Sequence, residues 1–194
     1  MKFISRIFLI TSILVMYGCA HPITISPHLS NIDRKDAKQI DKNVGYYISA
    51  QDRYKEVTTP GGGGDSIKYT PYNDLEPAIQ KVLINIFRNV HRMPSENDKV
   101  FISDNDISFV FTPKIETSSS SSGVLTWMAT DFTVDLNVKA INKGGDKIWE
   151  KTIKKDGHAE FEELTKDLQL SSRRASEKVF KELQQAISND PAFD

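Results

Sequence analysis

The sequence predicts an α+β domain, a mainly antiparallel sheet with two amphipathic helices packed on one face. Three observations lead there. Phe132, Val134, Leu136, Val138 and Ala140 alternate with Thr133, Asp135, Asn137 and Lys139, the period of a strand with one dry and one wet face. The turn "NKGGDK" then carries the chain into "KIWEKTIKK", which makes a hairpin with that strand. Two segments with the 3.6-residue apolar period of helices flank this block, one before it and one at the C-terminal end.

The chain opens "MKFISRIFLITSILVMYGCA". Lys2 and Arg6 precede a mostly apolar run from Ile7 to Val15, and Gly18 stands before Cys19. This is the layout of a secretory signal peptide over residues 1–18, too short to span a core of about 30 Å, which takes roughly 20 residues. Met16-Tyr17-Gly18-Cys19 resembles the lipobox of bacterial lipoproteins, with Met16 and Tyr17 where Leu and Ala or Ser are commonest. The resemblance implies that the Cys19 thiol takes a diacylglyceryl group, that cleavage falls before it, and that its free amine is then acylated. Two or more acyl chains hold a protein firmly on a bilayer, whereas one does so marginally. Ala20, rather than Asp, after the cysteine implies delivery to the outer membrane, with the mature protein facing the periplasm. Cys19 is the sole cysteine, so no disulfide forms within the chain.

Removing residues 1–18 leaves 176 residues, with 23 basic against 26 acidic side chains, a net charge of −3. That length suits one domain. There is no basic excess to hold nucleic acid, and no second long apolar run. Residues 19–43, with two prolines and many charges, read as the lipidated cysteine and a tether, and 44–194 as the domain.

"VGYYISA" at 44–50 is aromatic and β-branched and predicts a strand. "YKEVTT" and "SIKYTPY" flank the run Gly61–Gly64 as extended segments. A helix is expected over 74–92, capped by Asn73 or Asp74, with Pro77 in its first turn and Pro94 after its end. Its seam is Ile79, Val82, Leu83, Ile86, Phe87 and Val90. "ISFVFTPKIE" at 107–116 predicts a strand and "TSSSSSG" at 117–123 a flexible polar tract. After the hairpin, "GHAEFE" at 157–162 predicts a further short strand. The last helix is expected over 168–188, with Ala175, Val179, Phe180, Leu183, Ala186 and Ile187 on its apolar side.

This layout, together with "PGGGGDSIKYTPYNDLEP", "FVFTPKIET", "LTWMATDFTVDL" and "AEFEELTKDLQLSSRRAS", resembles small proteobacterial envelope lipoproteins of the YajG type and a group of uncharacterised bacterial lipoproteins. The shape is also similar to the periplasmic domains of lipoproteins that activate peptidoglycan synthases or take part in curli secretion. These resemblances imply protein contacts rather than catalysis.

The glycine run is no phosphate cradle: Asp65-Ser66 stands where a Walker loop needs Lys-Ser/Thr, and no helix follows directly. It reads as a mobile tip. Tyr69 and Tyr72, with Tyr54, read either as a docking surface beside that tip or as rings capping the core. Val124, Leu125, Trp127 and Met128 read either as the start of the strand through Phe132, with Trp127 in the core, or as an apolar loop touching lipid or a partner. The four histidines lack metal-ligand spacing, no Gly-x-Ser-x-Gly elbow occurs, and no cofactor motif is present. The leading expectation is a non-enzymatic module, anchored at Cys19, that binds an envelope protein through Tyr69, Tyr72 and Trp127. The alternatives are a binder of lipid or small amphiphile, with an apolar cavity between helices and sheet, and a hydrolase with two converging carboxylates.

Overall fold

The computed structural model describes residues 20–33, 39–121 and 128–193. Among them are eight strands and five α-helices, an α+β fold. In chain order these are β1 (Ala20–Pro22), β2 (Ile40–Tyr46), α1 (Ala50–Arg53), β3 (Val57–Pro60), β4 (Ser66–Tyr69), α2 (Pro71–Ile86), β5 (Phe87–Arg92) and α3 (Lys99–Asp104). Then come β6 (Ile107–Ser120), β7 (Asp131–Asn142), β8 (Lys147–His158), α4 (Phe161–Leu164) and α5 (Leu170–Ser188). Short 3-10 turns cover Leu29–Ile32 and Pro191–Phe193.

The main sheet has the order β5-β2-β6-β7-β8. Its β6–β7–β8 half is the expected antiparallel meander, while β2 pairs parallel with both β5 and β6, so the sheet is mixed. A smaller sheet, β1-β4-β3, has β1 parallel to β4 and β3 antiparallel to it. The expected dry row of β7, Phe132 to Ala140, is buried, and α2 and α5 pack with it in one core. Thr133, Asp135, Asn137 and Lys139 stay on the opposite, open side.

Several boundaries differ from expectation. The helix expected over 74–92 starts earlier, at Pro71, and ends at Ile86, and the chain passes straight into β5. Phe, Asn, Val and His are weak helix formers, and the edge of β2 offers Phe87–Arg92 a full ladder of partners. Pro77 therefore sits past the first turn, where its missing N–H leaves the Asn73 carbonyl without a helical donor. The polar tract is strand as far as Ser120, paired residue for residue with β7. Its hydroxyls are used: Ser119 Oγ donates to the Pro60 carbonyl (2.5 Å) and lies 2.6 Å from Thr59 Oγ1, which ties the two sheets together. Gly157 and His158 continue β8, and the rest of the expected short strand is α4.

The expected tether is, over residues 20–33, part of the packed body. Ile25 and Ile32 are fully buried. Asp74 is not a cap; its Oδ2 accepts the Ile25 backbone N–H at 3.2 Å, and Ser176 Oγ donates to the Ile25 carbonyl at 2.8 Å. β2 also crosses the expected boundary at residue 43.

The space between helices and sheet is filled with rings. Phe193 is fully buried, with ring centroids of Phe87, Phe109, Phe111 and Trp149 at 6.0, 5.3, 5.4 and 5.5 Å. α5 meets β8 most closely at Gly157, where an added Cβ would stand 2.0 Å from the Ser171 carbonyl oxygen and 2.5 Å from the Ala175 nitrogen. Both obstacles are helix backbone and cannot swing away. Gly157→Ala is therefore expected to lower stability by about 3 kcal/mol or more, seen as a lower urea midpoint. An unchanged midpoint would show that the helix can move off the strand without cost.

Candidate functional site

Tyr69 and Tyr72 do not form a docking surface. Both are buried, at 3% and 5% exposure. Tyr69 follows Ile67 on the inward side of β4; its hydroxyl donates to Thr117 Oγ1 at 2.8 Å, and its ring lies 5.4 Å from that of Phe132. Tyr72 lies on the buried seam of α2, and its hydroxyl accepts the Ile115 N–H at 3.1 Å. Burial raises the pKa of both phenols. These rings cap the core, the other of the two readings; Tyr54 alone of the three is exposed, at 78%. Trp127, with Val124 and Leu125, lies outside the described residues, as does Cys19.

The glycine run is the turn of the β3–β4 hairpin. Gly61 N–H donates to the Asp65 carbonyl (3.0 Å) and Asp65 N–H to that of Gly62 (3.1 Å). Gly63 and Gly64 have φ of 65° and 87°, which side chains other than glycine rarely adopt. Backbone geometry calls for glycine at 63 and 64.

The open side of β6–β7–β8 forms two adjoining grooves of about 330 and 150 Å³. Lys114, Glu116, Asp135, Asn137, Glu150 and Thr152 line the larger, and Ser118, Thr133 and Lys154 extend the smaller. Strand register sets Glu116 directly opposite Asp135, with Lys154 on the far side of Asp135. Two like charges side by side on a sheet are unfavourable on their own. Lys114 Nζ relieves the pair from one side at 2.7 Å from Glu116, and that bond holds the Glu116 pKa below its ordinary value. A bond from Lys147 does the same for Glu150. Neither is a carboxylic acid kept protonated at neutral pH, as a general acid must be.

Two further clusters went unseen in the sequence. Arg53, at the end of α1, grips Glu76 of α2 with Nε at 2.8 Å and Nη2 at 3.0 Å. Tyr46, at the end of β2, donates to the same carboxylate at 3.0 Å, and Arg92 Nε lies 3.6 Å away at the end of β5. Bonding to Arg53 lowers the Glu76 pKa, while burial and then Glu76 push Tyr46 up to about 12. Four elements are thereby pinned by one nearly buried carboxylate. The partners lie far apart in sequence, so no local pattern announces them.

At the opposite end of the sheet, His158 sits between two acids, Nδ1 at 2.7 Å from Asp131 and Nε2 at 3.1 Å from Glu160. The bond to Asp131, then that to Glu160, raises its pKa above 6.5. Next to it Arg174 clamps Glu163 at 2.8 Å, and that bond draws the Glu163 pKa down to about 2.

No family model matches the chain, and no curated protein does. Among solved structures, a Xanthomonas campestris protein of family DUF330 aligns with a TM-score of 0.49 at 10% identity, over 89% of this chain and 91% of that one. A dodecameric PelC variant from Paraburkholderia phytofirmans gives 0.46 at 16% identity, over 77% and 92%. A Caulobacter crescentus protein provisionally described as a lipoprotein gives 0.35 at 12%, over 68% and 85%. The likeness is loose, and no activity passes across it.

Two titrations follow. A lowered folded pKa means that Glu76 stabilises above its ordinary 4.5 and loses that effect as pH falls through the lower folded value. Glu76→Gln should cost about 3 kcal/mol at pH 7, because it leaves Arg53 unpaired, with the deficit shrinking below about pH 4. A pH-independent deficit would mean that the charge of Glu76 is not what matters. For His158 the sign is opposite: its bonds favour the imidazolium and weaken as pH rises through its raised folded pKa. Its imidazole NMR titration should lie above 6.5 and move down in Asp131→Asn; an unmoved midpoint would deny the coupling.

Proposed function

We propose that this chain is a bacterial envelope lipoprotein, anchored at Cys19 in the outer membrane and facing the periplasm, that works by binding a protein partner rather than by catalysis. The anchor rests on the lipobox resemblance and the sole cysteine. The binding half is carried by one observation: Glu116 and Asp135 stand side by side on an open sheet face, a repulsion that Lys114, bonded to Glu116, and Lys154, in register with Asp135, offset only in part. Lysine or arginine side chains of a partner would gain by bonding there, which makes this face, rather than Tyr69 and Tyr72, the docking surface. The mixed signs of Lys114, Glu116, Asp135 and Lys154 give such an interface register rather than a broad charge attraction. The rings packed around Phe193 favour this reading over a carrier of amphiphiles, whose cargo would need the same space.

Cys19→Ala should move the protein from the membrane to the soluble envelope fraction and abolish palmitate labelling; retention on the membrane would defeat the anchor. Glu116→Gln with Asp135→Asn should leave the Tm nearly unchanged, because the repulsion and the exposed Lys114–Glu116 pair are lost together. The same pair should sharply reduce adducts formed in the native envelope by a photo-crosslinker at Thr152. Undiminished adducts would mean that the carboxylate pair is not the docking point.

A further inference from the structure

We infer that the domain stands end-on against the bilayer, with the β3–β4 turn at the lipid headgroups and the Asn142–Asp146 turn pointing away. The inference rests on the anchor proposed at Cys19. It comes from strand register. Ala20 is the first residue of β1 and pairs with Ser66, which in turn pairs with Pro60. Consecutive Cα atoms lie about 3.8 Å apart, so a lipid attached one residue before Ala20 would join the domain at this end of the small sheet.

The lead-in leaves no slack. Ile23 N–H donates to the Lys68 carbonyl at 2.9 Å, His21 Nε2 lies 3.2 Å from Asp65, and Ile25 is locked into the core. The acyl chains would therefore hang from a fixed point on the surface, not from a tether.

The same end of the main sheet lies alongside. Ser119 is bonded to Pro60, and the next register row is Ser120, Asp131 and His158. From Asp131 the strand β7 runs eleven residues to Asn142, a rise of about 36 Å. The Asn142–Asp146 turn, where Lys143 pairs with Asp106, is thus the far pole. At the near end Asp65, Asp131 and Glu160 stand against His21, His158 and Arg174, mixed signs rather than a basic patch. Phe161, 47% exposed beside Glu160, supplies an aromatic ring at headgroup level. In this pose the sheet face with Glu116 and Asp135 stands upright to the membrane, open to a partner from the side.

The test uses the full lipidated protein in liposomes carrying a headgroup-attached nitroxide quencher. With Cys19 consumed by lipid, Ser120→Cys and Lys143→Cys each provide one free thiol for a fluorophore. Quenching at position 120 should be several-fold stronger than at 143. A twenty-residue Gly-Ser spacer between Cys19 and Ala20 should largely remove that difference. Equal quenching at both positions, or quenching at 120 that survives the spacer, would overturn the inference. Palmitate labelling and flotation of the same samples report the anchor separately. A protein that floats yet shows equal quenching keeps its anchor and loses its orientation, whereas one that does not float loses both.

Discussion

Helix α5 can lie on β8 only because Gly157 has no side chain. At that point helix backbone fills the place of a Cβ, and the close approach lets Ala175, Val179, Phe180 and Leu183 reach the dry row of β7. Phe193 packs against Phe109 and Phe111 from the C-terminal side, so among the described residues rings occupy this part of the space between helices and sheet. The sheet divides the labour by the two-residue period of its strands: even positions of β7 build the core, and odd positions build the candidate docking face.

Periodic features were legible in the sequence and long-range ones were not. The strand Phe132–Ile141 and the helix ending at Ser188 emerge within a residue or two of expectation, and the hairpin partner starts where expected and runs three residues further, because each carries a complete period of its own. Phe87 and Val90 mislead because their three-residue spacing continues the helical seam, and they reach the same core from a strand only through an irregularity in its ladder with β2. With no glycine or proline between Ile86 and Phe87, only the free edge of β2 decides. The serines of the polar tract mislead through composition: as strand residues they bond across to Thr59 and Pro60, partners found only in the fold. Tyr72 did carry a signal, since it precedes Leu75 and Ile79 at three and seven residues, on the buried seam of α2. The Arg53–Glu76–Tyr46 cluster and the Glu116–Asp135 pair had none, because each depends on packing or register between separated segments.

The lead-in segment joins the two halves of the functional reading. Prolines and charges give it the composition of a linker, yet Ile25 is wedged where α2 and α5 meet, held by Asp74 from one helix and Ser176 from the other. Burial raises the Asp74 pKa, against the bonds that it accepts from Ile25 and Thr70, so the acid is kept there at some electrostatic cost. A polar group buried at a cost and fully bonded specifies one position for the strand that it holds. The segment that begins at Ala20 is therefore part of the core. A load on the anchor proposed at Cys19 would be taken up by the small sheet and the helix junction rather than by a slack chain.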